Sequence, residues 1–309
     1  MGAVIDGRAA EADDVALAMS ARYGHFTAMQ VRGGKVRGLA AHLDRLSGAT
    51  RELFGQELDL DLVRASVRAL GGRWTRACGC SCATPAGVRV IAVSGPPVRL
   101  AATPKRLRSV RYQRFLPHIK HTGGFPQGYL GRLAEREGYD EALLTSDDGV
   151  ISEGAVTNLG CFDGDRVIWP DAPMLRGVTM RLLEGELARA GVPCERRVLR
   201  VADLTEFPAV FLANSWGGGG RGPGGRPPDR GGRGADGAGD RLLRERGLGL
   251  LLSGLLLHRW LLTGFEAVEQ GRERCPVHDV AERPSRPGGP GGRGRWAAGR
   301  SAAAPSPRS

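Results

Sequence analysis

The sequence predicts an α/β protein with two domains, over residues 1–115 and 118–216, followed by a low-complexity tail over residues 217–309. The chain has 309 residues, a length at which two domains are expected. Up to residue 216, short apolar runs typical of strands alternate with segments in which apolar residues recur at helical spacing. Beyond residue 216 the composition changes abruptly to Gly, Arg and Pro, so we expect a mostly disordered tail there.

The first domain is predicted to combine three strands with two helices. Runs rich in apolar and β-branched residues predict strands at residues 26–31, 35–39 and 88–93. Apolar residues at helical spacing predict helices that begin at His42 and Leu60. Strands and helices in alternation are typical of an α/β layer architecture.

Residues 71–85 fit neither a helix nor a regular strand. They hold three of the six cysteines at alternate positions, and we interpret the segment as a loop that carries free thiols. A soft-metal site is the alternative, but structural zinc sites favour a Cys-x-x-Cys spacing that the chain lacks. Because the cysteines are scattered and no signal peptide is visible at the N-terminus, we expect a reducing cytoplasm.

The second domain is predicted to contain a β-hairpin and a helix that begins after a glycine. Two apolar runs flank an Asp-Asp-Gly turn, and the returning strand carries Glu153 to the far side of the hairpin. Downstream, leucines at helical spacing predict a helix that starts near Met180. Gly177, which precedes this helix, leaves backbone N–H groups free, and with the Thr179 hydroxyl they form a candidate phosphate site.

Lys120 is the candidate nucleophile of the chain. Lys35, Lys105 and Lys120 are the only lysines, so a reaction that needs a deprotonated amine has few alternatives. The apolar segment before Lys120 would remove hydration from its ammonium group and lower its pKa, which is how a lysine becomes a Schiff-base nucleophile. A solvated lysine at the end of a strand is the alternative interpretation.

In this order along the chain, the motifs resemble the class IV (fold-type IV) pyridoxal-phosphate-dependent aminotransferases. That family includes branched-chain and D-amino acid aminotransferases and aminodeoxychorismate lyase. Its N-terminal block is similar to residues 22–27, to the turn at residues 33–35 and to the segment His42-Leu43-Asp44-Arg45-Leu46. The resemblance covers residues 23–215, and its specificity lies in the ordered set because each motif alone is weak.

The resemblance implies two α+β domains with pyridoxal 5′-phosphate at their interface. Lys120 would bind the cofactor covalently and later move a proton between substrate and cofactor. Glu153 would keep the pyridine nitrogen of the cofactor protonated. The resemblance also implies phosphate contacts from Arg45, from the backbone N–H groups of Val178 and Thr179, from the Thr179 hydroxyl and from Ser215. Phe26 and Arg89 match positions in the substrate pocket, and Arg89 is the candidate for binding a substrate carboxylate.

Some of these residues have an ordinary structural interpretation when taken singly. Glu153 fits a solvated hairpin carboxylate, Arg45 a cation on a helix surface, and Arg89 an outward-facing strand residue. Two positions also depart from the pattern of the branched-chain enzymes, which have tyrosines where this chain has Gly87 and Phe125. A branched-chain amino acid is therefore not the substrate that we expect.

The activity that the resemblance implies is transfer of an amino group between an amino acid or amine and a 2-oxo acid. A homodimer is implied as well, and we expect neither a membrane nor a nucleic-acid partner. Elimination of pyruvate from an aminodeoxychorismate-type substrate is the alternative, since His121 is similar to the lyase branch. In the family an arginine follows the phosphate-binding threonine, whereas here Met180 intervenes before Arg181.

The tail after residue 216 raises further alternatives. It carries 16 arginines against nine acidic residues, and its Arg-Gly repeats are similar to segments that bind RNA. An RNA-binding protein with an inactive enzyme body is thus an alternative of another class, although aromatic residues for base stacking are scarce. The apolar run 248–262 is too short to span a membrane. We favour the hypothesis of a reading frame lost near residue 216 in a high-GC gene, which sequencing of the source DNA would test.

Overall fold

The computed structural model describes residues 2–14, 16, 23–32, 34–70, 76–83, 87–96, 105–215 and 272–274, with the backbone alone at 76–83 and 272–274. All of these ranges fall within one compact unit, Met1–Val277. The predictions of disorder and RNA binding concern a tail that lies outside the described residues apart from Arg272–Arg274. No helix within the described ranges is long and apolar enough to cross a membrane.

Groups of strands and helices follow one another along the described residues, and this mixed content confirms the predicted α/β fold class. The helices are α1 (Leu39–Phe54), α2 (Leu60–Ala69), α3 (Phe125–Arg136) and α4 (Val178–Arg189), with a 3-10 helix at Ala202–Glu206. The strands are β1 (Gly2–Ile5), β2 (Arg8–Ala9), β3 (Gly24–Arg32), β4 (Lys35–Arg37), β5 (Arg76–Ala83), β6 (Arg89–Gly95), β7 (Leu107–Arg111), β8 (Glu141–Thr145), β9 (Ile151–Gly154), β10 (Asn158–Phe162), β11 (Val167–Pro170), β12 (Cys194–Arg197), β13 (Ala209–Ala213) and β14 (Arg272–Arg274).

Six strands from the first part of the chain, together with β14 from residues 272–274, build an antiparallel sheet in the order β14-β4-β3-β5-β6-β1-β2. The strands predicted at residues 26–31, 35–39 and 88–93 are confirmed as β3, β4 and β6. β3 lies near the middle of this sheet, and its register with β5 runs from Gly24 opposite Ala83 to Val31 opposite Arg76. Pairing within the sheet fixes the backbone of β3, and its side chains project alternately to the two faces of the sheet.

Helices α1 and α2 share a hydrophobic core with this sheet. Leu43 and Leu46 recur at helical spacing on α1 and are buried with Met29 and Val90 of the sheet. The helix at Leu60 is confirmed, and it begins there because the Asp59 side chain accepts hydrogen bonds from two N–H groups of its first turn, at 2.9 Å each. The first helix begins at Leu39, three residues before the predicted start, which is an ordinary boundary error.

The second part of the chain forms two smaller sheets, β7-β8-β9 and β12-β11-β10-β13. The predicted hairpin is confirmed, since β8 and β9 are antiparallel and Glu153 lies opposite Leu144. Helix α4 packs on the four-stranded sheet through a core that includes Met180, Trp169 and Phe211. The division into domains at residues 115–118 stays a prediction, although no strand of these two sheets comes from before residue 107.

The loop predicted for residues 71–85 is wrong at its centre. Arg76–Ala83 forms β5, which pairs with β3 on one side and with β6 on the other. Two complete ladders of backbone hydrogen bonds stabilise a strand whose small residues carry little β propensity of their own. Residues 71–75 and 84–86 lie outside the described ranges, and the described side chains contain no group of three or more His, Cys, Asp or Glu suited to a metal ion.

The sequence patterns do not indicate β7 or α3, which the structure adds. Helix α3 contains Pro126 in its first turn and two glycines, at 128 and 131, which lower intrinsic helix propensity. Its side chains at Gln127 and Ala134 are the buried ones, so its apolar stripe is too narrow for periodicity to reveal. Tertiary contacts with the β7-β8-β9 sheet decide the helical state instead.

Gly160 on β10 tests how tightly the four-stranded sheet packs. A Cβ atom at this position would lie 2.5 Å from Cζ of Phe211 and 2.9 Å from Cζ3 of Trp169. We expect Gly160→Ala to lower the free energy of unfolding by about 1–3 kcal/mol, since rigid aromatic rings must shift. Urea denaturation measures this change.

The matched control is Gly48→Ala within α1, where an added Cβ atom has no neighbour within 4 Å. That exchange should raise stability or leave it unchanged, because alanine is the better helix former. Equal destabilisation by both substitutions would contradict the packing described for β10.

Candidate active site

Lys120 is held beside β3 by backbone pairing that extends the large sheet. The Phe26 N–H donates to the Lys120 carbonyl at 2.8 Å, and the Thr122 N–H donates to the Gly24 carbonyl at 2.8 Å. A bridge between residues 25 and 121 lies between these two bonds. The Lys120 Nζ atom lies 4.9 Å from the centroid of the Phe26 ring. β3 thus fixes both the backbone of Lys120 and the aromatic ring against its ammonium group.

The surroundings of Lys120 favour its neutral amine. Burial removes hydration from the ammonium, and the charges of Arg45 and Arg114 act in the same direction, so the pKa falls to about 8. The carboxylate of Glu153 opposes this shift. A lysine with a pKa near 8 carries a useful fraction of free amine at neutral pH, which is what a nucleophile or general base requires.

Glu153 on β9 lies in the same buried site and makes two directed contacts. Its Oε2 accepts a hydrogen bond from the Leu175 N–H at 3.3 Å, and its Oε1 lies 3.4 Å from Nη1 of Arg114. Burial raises the pKa of Glu153 to about 7, and the neighbouring Arg114 charge is the largest opposing effect. Each carboxylate oxygen has two lone pairs, so Glu153 keeps the capacity to accept a further hydrogen bond.

Arg114 connects the carboxylate to the lysine segment. While Nη1 faces Glu153, Nη2 donates to the Ile119 carbonyl at 2.9 Å, one residue before Lys120. The side chains of Arg114 and Glu153 are only 8% and 6% exposed. Sequence patterns do not single out Arg114 among the many arginines, and only the tertiary contact reveals it.

Arg45 on α1 supplies a second buried cation. Its Nη2 donates to the Thr27 hydroxyl, and its Nε is buried without a hydrogen-bond partner among the described residues. Burial lowers the pKa of Arg45 to about 10, with Arg181 and Arg114 adding to the effect. An arginine that has lost hydration and lies beside other cations is suited to bind an anion. The anion would offset the cost of desolvation and the repulsion between the cations.

The N-terminus of α4 is a second place where an anion would be stabilised. Val178 and Thr179 begin this helix and are buried, and no side chain among the described residues caps it. Their N–H groups lack intrahelical partners by the geometry of a helix start. The preceding Gly177 N–H is already used, since it donates to Oδ1 of Asn158 at 3.1 Å.

Helix α1 approaches α4, and this contact brings Arg45 close to the helix start. A Cβ atom on Gly38 would lie 2.7 Å from Cδ1 of Leu182, so only glycine permits this approach. Gly38 also has φ of 63°, a backbone conformation that glycine adopts without strain. Arg181 then lies 3.8 Å from the carboxylate of Asp44 and close enough to Arg45 to lower its pKa.

The other predicted site residues are placed as follows. Ser215 comes two residues after β13, whose Ala213 pairs with Asn158. Arg89 forms an ion pair with Asp6, and its Nη2 lies 4.0 Å from a carboxylate oxygen of Asp14. These carboxylates already engage the guanidinium, and the substrate role of Arg89 stays a prediction.

Glu141 is a buried carboxylate that the sequence patterns do not reveal. Its Oε1 accepts hydrogen bonds from the Val156 N–H at 3.0 Å and from the Thr157 hydroxyl at 2.8 Å. Burial raises its pKa. Glu141 therefore supports the turn between β9, which carries Glu153, and β10, which begins at Asn158.

The fold and the site agree with the comparisons to known proteins. The family model for amino-transferase class IV matches residues 24–221. The chain belongs to the class IV aminotransferase family. It is 29% identical over 233 aligned residues to a bifunctional aminodeoxychorismate lyase / D-amino acid transaminase of Mycobacterium tuberculosis, and the match covers 62% of this chain and 78% of that relative.

Solved structures of this family share the fold. A hypothetical aminotransferase from Mycobacterium tuberculosis in its PLP-bound form matches 70% of this chain and 88% of its own, with a TM-score of 0.60 and 21% identity. The branched-chain amino acid aminotransferase from Escherichia coli matches 70% of this chain and 82% of its own, with a TM-score of 0.58 and 18% identity. The class IV enzymes use pyridoxal 5′-phosphate as their cofactor.

The residues of this chain fit that cofactor. Its phosphate needs cations and free N–H groups, which Arg45 and the start of α4 supply. Its pyridine nitrogen needs a carboxylate, and Glu153 retains lone pairs for one more donor. Its aldehyde needs an amine, and Lys120 supplies one whose pKa is lowered to about 8.

The pH at which Lys120 becomes reactive tests these surroundings. We expect the rate of its modification by an amine-directed reagent to rise with a midpoint near pH 8, because burial and two arginines lower its pKa. Mass spectrometry of a protease digest separates the peptides of the three lysines. A midpoint for Lys120 at the ordinary value of 10.5 would contradict the buried, cationic site.

Proposed function

We propose that this chain transfers an amino group between a small amino acid or amine and a 2-oxo acid, with Lys120 as the catalytic residue. The observation that carries the proposal is the meeting of Lys120, Glu153 and Arg45 in one buried site, although they lie far apart in sequence. Arg114 adjoins all three, by contact with Glu153 and the Ile119 carbonyl and by its charge on Arg45. Family membership supports the reaction class.

Pyridoxal phosphate, when bound, supplies an aldehyde for the amino group and a pyridine ring that accepts the electron pair left when the substrate loses its Cα proton. We propose that the phosphate is held by Arg45, the N–H groups of Val178 and Thr179, the Thr179 hydroxyl and Ser215. Arg45 supports this role because its buried Nε lacks a partner among the described residues. The helix dipole of α4 adds a favourable partial charge for an anion.

Lys120 would act as the proton carrier of the reaction. Its neutral amine would accept the proton from the substrate Cα and hold it for the next transfer. The lowered pKa supports this role, since an efficient general base has a pKa near the working pH. The Phe26 ring, against which the Lys120 ammonium lies, would limit the orientations of the amine.

Glu153 would accept a hydrogen bond from the protonated pyridine nitrogen. The carboxylate must be ionised for this, yet burial raises its pKa to about 7. Arg114 acts against that increase and keeps a larger share of Glu153 in the anionic form. We therefore propose that Arg114 supports the acceptor role of Glu153, while Leu175 orients its second oxygen.

Transamination and elimination of pyruvate are two reactions that this set of residues is suited to. The relative in Mycobacterium tuberculosis bears both activities in its name, aminodeoxychorismate lyase and D-amino acid transaminase. Transamination is the proposal that we favour for this chain, with aminodeoxychorismate lyase activity as the second candidate. Both activities use the same amine and the same carboxylate.

We also propose a homodimer that acts in the cytoplasm. Phe115, Phe125 and Tyr129 are 78%, 81% and 55% exposed, and the last two rings stack at 6.3 Å between centroids. Exposed aromatic residues of this kind are typical of protein interfaces. RNA binding is not favoured, because the family match over residues 24–221 indicates an enzyme.

Exchange of the lysine tests the catalytic assignment. We expect the full-length protein to develop a visible absorbance band with pyridoxal phosphate, and an amino-acid donor to change that band. Lys120→Arg keeps the charge but cannot bond covalently to an aldehyde, so it should abolish both changes. Lys35→Arg is the control and should retain them. Identical spectra for the parent and Lys120→Arg would contradict the proposal.

Two substrate mixtures separate transamination from elimination. With a D-amino acid and a 2-oxo acid, we expect a new amino acid to form, because amino transfer needs both partners. With aminodeoxychorismate and no 2-oxo acid, release of pyruvate would identify the lyase. Chromatography of the products distinguishes these results, and product formation by Lys120→Arg in either mixture would show a contaminating enzyme.

A further inference from the structure

A buried hydrogen-bond network surrounds Arg45 and involves no other predicted site residue. Oγ1 of Thr27, on β3, lies 2.7 Å from Nδ1 of His42, one turn before Arg45 on α1. Nη2 of Arg45 donates to the same Thr27 oxygen and lies 3.4 Å from the same His42 nitrogen. Thr27 and His42 are 0% and 1% exposed, so water does not compete for these groups.

One arrangement of donors and acceptors satisfies every contact of this network. Arg45 can only donate, so the Thr27 oxygen accepts from it and the Thr27 proton is free to point at His42. Nδ1 of His42 faces two groups that can donate, the Thr27 hydroxyl and the guanidinium, and it accepts from them when the ring proton is on Nε2. The lowered pKa of His42 favours the neutral imidazole that this arrangement needs.

A neutral histidine suits this position for an electrostatic reason. The pKa of His42 lies well below its ordinary value because the ring is buried and because Arg45, Arg181 and Lys120 are close. His42 thus contributes an acceptor without adding a positive charge to a group of cations. A lysine or arginine in its place would increase the repulsion on the Arg45 guanidinium.

We propose that Thr27 and His42 are positioning residues that hold the Arg45 guanidinium in the orientation that binds the cofactor phosphate. This inference rests on the proposed function, in which Arg45 binds that phosphate. Arginine has many rotamers, and fixing one of them before binding reduces the entropy that the ligand must remove. Both partners fix the Nη2 edge of the guanidinium, and the buried Nε is left without a partner among the described residues.

The preference for pyridoxal phosphate over pyridoxal measures this positioning directly. The two aldehydes differ only in the phosphate, and both report binding through the absorbance change that depends on Lys120. We expect Thr27→Val to weaken pyridoxal phosphate binding about tenfold, because a hydrogen bond to a charged group is lost. Binding of pyridoxal should stay unchanged, so the ratio of the two dissociation constants falls by the same factor.

A pair of substitutions at His42 provides an independent measurement. His42→Leu removes the acceptor and should lower the preference as Thr27→Val does. His42→Asn places an amide oxygen where Nδ1 lies and should restore part of it. If Thr27→Val does not fold, the comparison of His42→Leu with His42→Asn tests the positioning role by itself.

Thr50→Val is the matched control. Thr50 is a buried threonine of α1 whose hydroxyl lies 2.9 Å from Nε2 of His25, so it forms the same kind of pair without touching Arg45. We expect this variant to keep the full preference for the phosphorylated cofactor. An equal loss in Thr50→Val would show a general effect of core destabilisation and overturn the proposal.

Arg45→Gln tests the phosphate role and the positioning role separately. It should lower the preference at least as much as Thr27→Val does, because the guanidinium is lost while the N–H groups at the start of α4 remain. A full preference in Thr27→Val and His42→Leu, together with a loss in Arg45→Gln, would overturn the positioning role and leave the phosphate role of Arg45 intact. A full preference in Arg45→Gln would overturn the phosphate role itself, and the positioning role with it.

Discussion

The site is organised around positive charge that is buried with too little negative charge to neutralise it. Arg45 and Arg114 lie close enough to Lys120 to lower its pKa to about 8, and Arg181 acts on Arg45 in the same way. Glu153 is the carboxylate that raises the pKa of Lys120. Burying like charges together is costly, and a bound anion is the natural means of offsetting that cost. The same burial favours the neutral amine of Lys120, so the proposed anion binding and the proposed reactivity of the amine would have one physical cause.

The fold assembles this cluster from elements that are distant in sequence. β3 lies near the middle of the large sheet and holds Lys120 on its edge through two backbone hydrogen bonds of 2.8 Å. Helix α1 packs on the same sheet and places Arg45 beside Thr27. The close approach at Gly38 brings α1 against α4, whose first turn has N–H groups to offer an anion. The hairpin β8-β9 delivers Glu153, which Arg114 then links to the segment before Lys120.

Local pattern was enough to predict the elements whose residues repeat with a clear period. β3, α2, the hairpin and α4 all follow from such patterns, and the ordered motifs indicated the family. β5 could not be predicted, because its small residues form a strand only when two neighbouring strands supply hydrogen bonds. Arg114 and the pair of Thr27 with His42 could not be predicted either. Their importance comes from contacts between distant segments, and no spacing in the sequence encodes those contacts.

Reductive trapping of the cofactor shows whether Lys120 lies within a site that binds anions. The full-length protein is mixed with pyridoxal phosphate, reduced with borohydride and digested, and the labelled peptide is identified by mass spectrometry. We expect a label on Lys120 alone, formed more slowly when inorganic phosphate is present in excess, because phosphate competes for Arg45 and the start of α4. A label shared with Lys35 or Lys105, or one formed at the same rate in excess phosphate, would contradict a lysine held within a buried anion-binding site.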